Sequence, residues 1–234
     1  MLAVGSLALT GCGQKNQSNP NAGKGGGTTS KSAPLQDLNI KSRDEVKNGG
    51  TVRFSIETLP TTWNALHIDG NTVDLSTTIM GFVGANNFDI AEDGTPKPDT
   101  DYLQSYDVQT NGGKQVVTLH LNPKAKWNSG RTIDYTDYQA TWKATNGANE
   151  DFKMATSDGF NQIESVKKGD KDTDVVITYK ATYPDWTATW SSVMPKEGVG
   201  TPETFNNGWK QFKPEWFTGP FTLDPVSYTH LRAH

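Results

Sequence analysis

Lys124–Asp137, with the sequence KAKWNSGRTIDYTD, is the most informative part of this chain. Asp134 is a residue type that caps helix N-termini, and the helix that it opens should end near Asn146-Gly147. Three aromatic side chains would share one face of this helix: Tyr135, Tyr138 and Trp142. Asp134 and Asp137 could also be an acid/base pair, but capping and the helix dipole explain their i, i+3 spacing more simply.

Two β-hairpins are predicted on either side of this helix. Residues 106–110 and 116–121 alternate apolar and polar side chains around the turn Asn111-Gly112-Gly113. Residues 163–167 and 175–179 show the same alternation across a polar turn. Both pairs of segments therefore predict antiparallel strands.

Closer to the N-terminus, the pattern predicts one more strand and one more helix. Residues 51–57 (TVRFSIE) alternate as a half-buried strand does. Residues 73–83 place Leu75, Ile79 and Phe82 on one helical face, with Val73, Met80 and Val83 beside them. The folded body, from about Gly49 to Leu223, is therefore predicted to be mixed α/β.

The first twelve residues read as a lipoprotein signal peptide. Leu9-Thr10-Gly11-Cys12 closes a short apolar run, as a lipidation site requires, and Cys12 would carry the lipid. An ordinary buried thiol is the alternative for this cysteine. Residues 1–11 hold no Lys or Arg, so we expect the natural start to lie upstream. Residues 13–48 are rich in Gly, Ser, Asn and Lys and predict a flexible linker.

Charge and composition exclude several classes of function. The chain has a net charge of −4 and no basic cluster, which argues against nucleic acid as a partner. The four histidines lack metal-ligand spacing, so neither a metal nor another cofactor is expected. We expect His120, on the polar face of its strand, to be solvated or locally hydrogen-bonded. The sequence contains no hydrolase, zinc-protease or phosphate-loop motif, and the chain is not expected to be an enzyme.

Seven tryptophans are many for a chain of 234 residues. An indole offers a flat face and one N–H donor, which suits stacking on sugars or enclosing peptide side chains. Core packing is the alternative, and it is the preferred interpretation for Trp142. A surface-tethered glycan-binding module or glycosidase is therefore the alternative function.

The segment Lys124–Asp137 resembles the signature of the bacterial extracellular solute-binding proteins of family 5. These are the peptide-, dipeptide- and nickel-binding lipoproteins of ABC importers. Their signature is a strand ending in an aromatic residue, a polar turn, a Pro/Thr stretch and a helix that opens with Asp. Residues 126–132 correspond to the turn and Asp137-Tyr138 to the helix opening, while Ser129 stands where the family usually has Asp.

The resemblance extends in register over residues 49–223. The matching segments are Gly49–Glu57, Asn64-Ala65-Leu66, Asp93-Gly94 with Pro98, and Thr218-Gly219-Pro220-Phe221. The Ala-Glu that usually precedes Ser105 is missing, and such departures suggest a divergent, Gram-positive branch. Residues 224–234 match nothing expected after this last segment, and we expect a non-native tail there.

The resemblance implies a periplasmic-binding-protein-like type II fold, of which residues 49–223 would form the first lobe only, with the second lobe missing. It also implies a substrate-binding lipoprotein of an ABC importer that captures a peptide or other small solute. The protein would sit on the outer face of the cell membrane through its lipid anchor and deliver the solute to ABC permease subunits.

The resemblance also places a ligand-contacting segment after the first strand. The candidate residues are Glu57, Thr58, Trp63 and Asn64. They offer a carboxylate for an amine, a hydroxyl group and a stacking face. Each could equally be structural, because Glu57 can simply end a strand and Asn64 can simply make a turn.

Overall fold

The computed structural model describes residues 41–223. Cys12, the signal peptide, most of the predicted linker and the expected tail lie outside the described residues. Within them the strands are β1 (Ala85–Asn86), β2 (Phe88–Ile90), β3 (Pro96–Pro98), β4 (Leu103–Asn111), β5 (Lys114–Leu121), β6 (Ile163–Lys168), β7 (Asp174–Tyr179) and β8 (Ser192–Val193). The α-helices are α1 (Met80–Val83), α2 (Tyr135–Thr145), α3 (Trp186–Thr189), α4 (Lys196–Val199) and α5 (Pro202–Asn207). A π-helical stretch, Asp74–Ile79, runs directly into α1, and 3-10 turns occupy Arg43–Glu45, Phe160–Gln162 and Pro214–Trp216.

The largest sheet is antiparallel, with the strand order β4-β5-β7-β6. Strands β4 and β5 form the first predicted hairpin, in which Asn111 pairs with Lys114. Gly112 and Gly113 have φ values of 57° and 81°, as a two-residue type I′ turn requires. Strands β6 and β7 form the second predicted hairpin. Both hairpin predictions are confirmed.

Helix α2 begins and ends where the sequence predicts. Asp134 caps it with a complete capping box in which Asp137 is the reciprocal partner, and Gly147 follows its C-terminus with φ 80°. Tyr138 is fully buried against the sheet, whereas Tyr135 and Trp142 are half-buried at its margin. The predicted aromatic face is therefore the buried face.

The helix predicted over residues 73–83 is present, but its buried face differs from the predicted one. Leu75 and Ile79 are buried as expected, and Met80 and Val83 are buried beside them. Phe82 is only half-buried, and Val73, predicted beside the apolar face, is exposed. The π-helical stretch accounts for this shift, because its i→i+5 hydrogen bonds change the angle between successive side chains.

The prediction of a strand over residues 51–57 is wrong. No strand of the described residues pairs with this segment, and within it only Ile56 is half-buried. Alternation alone therefore did not make a strand, since a strand also needs a neighbour for its backbone groups. Phe54 stacks on Phe82 at 5.0 Å, and Phe221 meets Phe82 edge-on at 5.4 Å, which leaves a partly exposed aromatic patch.

Two hydrophobic clusters form the core. One packs the inner face of the main sheet against α2, and Leu119, Ile177 and Tyr138 lie in it. The other joins the helical segment 74–83 to α4 and α5, and Leu75 and Phe205 lie in it. The short pair β1–β8 contributes Ala85 and Val193 to the first cluster, and the second cluster supports the site described next.

Candidate functional site

A cleft of about 390 Å³ opens beside the start of the helical segment 74–83. Three elements line it: the loop that follows Asn64, the exposed side of the helical segment, and the short strand pair β1–β8. Its lining residues are Ala65, Leu66, Asn71, Ser76, Thr77, Met80, Gly81, Asn86, Ser191 and Ser192. Most of these are small and polar and none is charged.

Asn64 fixes the start of the loop wall. Its side-chain carbonyl accepts from the Leu66 N–H at 3.0 Å, and its amide donates to the Phe205 carbonyl at 2.9 Å. The first bond makes an Asx turn, and the second ties the loop to α5. Gly70 then passes so close to the Asn64 carbonyl that an added Cβ would lie 2.0 Å from its oxygen. The loop can therefore close only with glycine at that position.

The helical wall is tied to residues 57 and 58, which precede the loop. Asp74, in the first turn, accepts hydrogen bonds from the backbone N–H groups of Glu57 (3.1 Å) and Thr58 (3.0 Å). Ser76 donates to the side-chain carbonyl of Asn71 at 3.1 Å and so joins the helical segment to the end of the loop.

The third wall is the pair β1–β8, in which Asn86 lies opposite Ser192. The next residue, Asn87, is buried and donates to the Trp190 carbonyl at 2.6 Å while accepting from the Tyr138 hydroxyl at 2.6 Å. Burial raises the pKa of Tyr138, and the hydrogen bond to Asn87 only partly offsets this, so the hydroxyl stays a donor. The wall is therefore anchored to the protein core.

Several polar side chains of the cleft are left available to a ligand. The hydroxyls of Thr77, Ser191 and Ser192 and the amide of Asn86 make no hydrogen bond to any of residues 41–223. They combine donors and acceptors without formal charge. Such a wall suits neutral amide or hydroxyl groups better than ionised ones.

The four residues predicted for ligand binding do not line this cleft. Glu57 and Thr58 expose their side chains and bind Asp74 through the backbone. Trp63 is 4% exposed, packs edge-on against Phe212 at 5.2 Å, and donates its backbone N–H to the Trp209 carbonyl. Asn64 is fully buried beneath the loop. Their contact with a ligand stays a prediction.

The residues that sequence reasoning missed are those of the third wall. Asn86, Ser191 and Ser192 stand in or beside two-residue strands about a hundred positions apart in sequence. Nothing in the local pattern marks them, because a strand of two residues has no measurable periodicity. Asn71 and Ser76 lie closer in sequence to the residues predicted to bind the ligand. Their hydrogen bond to each other becomes visible only in the folded loop.

The signature segment serves structure rather than chemistry. Asp137 is fully buried and binds both terminal nitrogens of Arg131, at 2.6 and 3.0 Å, and the indole N–H of Trp127 at 3.1 Å. Burial disfavours the guanidinium, but Asp137 and then Glu197 outweigh it, so the pKa of Arg131 is raised. Asp137 also accepts from the Lys196 N–H at 2.9 Å, which fixes α4. The capping interpretation of Asp137 is confirmed.

His120 lies on the outer face of the main sheet and is locally hydrogen-bonded, as predicted. Its Nδ1 is 2.9 Å from Asp174 and its Nε2 is 3.1 Å from Asp107. The hydrogen bond to Asp174 is the main cause that raises the pKa of His120, burial opposes it, and Asp107 adds to the rise.

Other chemistries find little support in the part of the chain that the structure describes. Residues 41–223 contain no group of three or more His, Cys, Asp or Glu side chains arranged to hold a metal ion. No helix formed by these residues is long and apolar enough to cross a bilayer. All seven tryptophans are buried or half-buried, so none presents a fully open ring to a sugar.

Comparison with known proteins agrees with the resemblance in the sequence. No protein-family model matches the chain. The chain is 32% identical over 237 aligned positions to the oligopeptide-binding protein OppA of Mycobacterium tuberculosis (strain H37Rv). That alignment covers 98% of this chain and 39% of the relative, so the chain spans about two fifths of the length of the protein it matches.

Solved structures show the same fold. The periplasmic EDTA-binding protein EppA superposes with a TM-score of 0.67 and 24% identity, over 76% of this chain and 34% of that protein. The oligopeptide-binding protein AppA of Bacillus subtilis, solved with a nonapeptide, gives a TM-score of 0.52 and 19% identity, over 63% and 28%. The predicted mixed α/β, type II binding-protein fold is confirmed. The curated relative is named as an oligopeptide-binding protein, which agrees with the expectation that the chain is not an enzyme.

Proposed function

We propose that this chain, a homologue of the OppA oligopeptide-binding proteins, takes part in capturing peptide-like solutes outside the cell for an ABC importer. The observation that carries the proposal is the 32% identity to OppA over 98% of the chain. The chain spans 39% of that relative, so the proposal concerns the whole protein of which such a sequence is part.

The cleft supports a peptide-like ligand over an ionic one. Its uncharged lining offers hydroxyl and amide groups that can pair with the N–H and C=O groups of a peptide backbone. Backbone groups are present in every peptide, so contacts of this kind hold a ligand without reading its side chains. We propose Asn86 and Ser192 as contact residues in the cleft. Glu57, Thr58, Trp63 and Asn64 lie outside the cleft and stay a separate proposal for ligand contact.

Uptake of a labelled peptide tests the proposal. Cells that lack the gene should take up a radiolabelled nonapeptide more slowly than cells complemented with it, while uptake of labelled maltotriose stays unchanged. The doubly substituted Asn86→Ala, Ser192→Ala protein should restore less peptide uptake than a Thr110→Ala protein, whose change lies on exposed strand β4. Equal peptide uptake with and without the gene would rule out the proposal, and a selective loss of maltotriose uptake would favour the glycan-binding alternative.

We also propose that Cys12 anchors the protein to the outer face of the membrane. The support is the sequence Leu9-Thr10-Gly11-Cys12 after an apolar run, followed by a polar linker. Cys12→Ser should prevent incorporation of labelled palmitate in the native host and move the protein from the membrane fraction to the medium. Unchanged palmitate labelling of the variant would refute the anchor and leave peptide binding untouched.

A further inference from the structure

We propose that His67 is a positioning residue of the cleft: as a neutral imidazole it holds the loop of residues 64–71 in the shape that lines the cleft, and its protonation releases that loop. The inference rests on the proposed function in so far as the cleft is the place where the peptide binds.

His67 is the centre of the loop's hydrogen bonding. Its backbone N–H donates to the Asn64 carbonyl at 3.0 Å, and its carbonyl accepts from the N–H groups of Gly70 and Asn71, both at 2.9 Å. Its ring Nδ1 accepts from the Asp69 N–H at 3.1 Å. Four hydrogen bonds within one short loop thus meet at this residue.

The Nδ1 contact defines the proton state of the ring. A backbone N–H can only donate, so Nδ1 must carry a lone pair, and an imidazolium would set two N–H groups against each other. The cost of that repulsion falls directly on the turn between His67 and Asp69. Protonation therefore removes a hydrogen bond that shapes the loop.

The surroundings of the ring are mostly apolar. His67 is 6% exposed, its ring lies 6.1 Å from that of Phe205, and its backbone forms a bridge with Met154. The neighbouring Lys153 contributes only its carbonyl, which accepts from the Ile68 N–H at 2.8 Å. The one charged group that faces the imidazole within the described residues is the Asp69 carboxylate, 3.7 Å from Nδ1 and itself largely exposed.

Burial lowers the pKa of His67, and the charge of Asp69 offsets this only in part. The folded chain therefore favours the neutral ring. The loop's order is present above the unfolded pKa, about 6.5, and is lost as the pH falls through the lowered folded value. Since Ala65, Leu66 and Asn71 line the cleft, we expect peptide affinity to fall over the same acidic range.

Two substitutions separate the effect of the hydrogen-bond acceptor at Nδ1 from the effect of packing an aromatic ring at this position. His67→Asn keeps an acceptor oxygen near the position of Nδ1 and cannot take up a proton. His67→Phe keeps an aromatic ring against Phe205 and has no acceptor. Hydrogen exchange of the Asp69 and Asn71 amides, corrected for the pH dependence of intrinsic exchange, reports on the loop in the chain without any ligand.

In the wild type, protection of these amides should fall by up to about tenfold for each pH unit between the unfolded pKa of about 6.5 and the lowered folded pKa of His67, and should level off below that folded value. His67→Asn should keep its protection at about pH 5, and His67→Phe should lack it even at about pH 7.5. The proposal is overturned if the amides stay protected while the imidazole NMR signals show a protonated ring, or if His67→Asn loses protection on acidification as the wild type does.

A second measurement separates this inference from the proposed function. Affinity for a synthetic nonapeptide is measured at both pH values for the full-length protein and for its His67→Asn form. A pH-dependent loss in the wild type alone supports both statements. If the loop loosens at acidic pH while the affinity does not change, His67 still positions the loop, but the cleft is not the peptide site.

Discussion

At the scale of single residues, the buried ion pair of Asp137 and Arg131 is a contact that also holds neighbouring groups in place. Asp137 is fully buried and Arg131 is 25% exposed, so each charge relies on the other for solvation. Removal of one partner of a buried pair leaves the other uncompensated. The same carboxylate also holds Trp127 and the start of α4.

We therefore expect Asp137→Ala to lower the free energy of unfolding by about 3–5 kcal/mol, measured by urea denaturation. The matched control is Glu197→Gln, which removes the more exposed carboxylate on the same guanidinium and should cost less than about 1 kcal/mol. Equal losses in the two variants would contradict the assigned role of Asp137.

His120 should make stability depend on pH in the opposite direction from His67. Its folded pKa is raised by Asp174 and Asp107, so its contribution is complete below the unfolded pKa of about 6.5 and disappears as the pH rises through the folded value. His120→Gln should therefore destabilise the chain more at about pH 6 than at about pH 9, as measured by urea denaturation. A difference that grows with pH would show that the sign is wrong.

At the scale of elements, the β4–β5 hairpin depends on two glycines with positive φ. No atom lies within 4 Å of a Cβ built on either one, so only the backbone conformation restricts substitution there. Gly113→Ala should cost about 1–2 kcal/mol in urea denaturation, because a residue with a Cβ is strained in the left-handed region. Gly112→Asn should be nearly neutral, since Asn-Gly is the preferred pair in a type I′ turn. Equal costs would mean that the turn does not have this type.

The helices and strands also show which parts of the fold can be predicted from the sequence. Both hairpins and α2 were predictable, because Gly-Gly and the Asp134 cap act through local geometry. The absence of a strand over residues 51–57 could not be predicted, because a strand needs a pairing partner that the local pattern does not specify. The cleft could not be predicted for a similar reason, because Asn86 and Ser192 come together only when β1 and β8 pair across a long stretch of chain.

At the scale of the whole molecule, the resemblance supplied what local patterns could not. The signature around Trp127 pointed to the binding-protein fold, and homology to OppA confirmed the family resemblance. The same signature did not locate the candidate site, because its Arg131 and Asp137 are engaged with each other inside the fold. A motif that identifies a fold can thus lie apart from the surface that a ligand would touch.

The burial of the tryptophans decides what the protein's intrinsic fluorescence can report. Indoles shielded from water should emit at short wavelengths, and the emission should move to the red only when the chain unfolds. Trp216, half-buried with the Lys213 ammonium 3.8 Å above its ring, is the indole best placed to be quenched at the surface. No tryptophan of residues 41–223 lines the cleft, so a nonapeptide bound there should leave the emission maximum nearly fixed, and an extrinsic dye near Ser192 would be the better optical sensor of an occupied cleft.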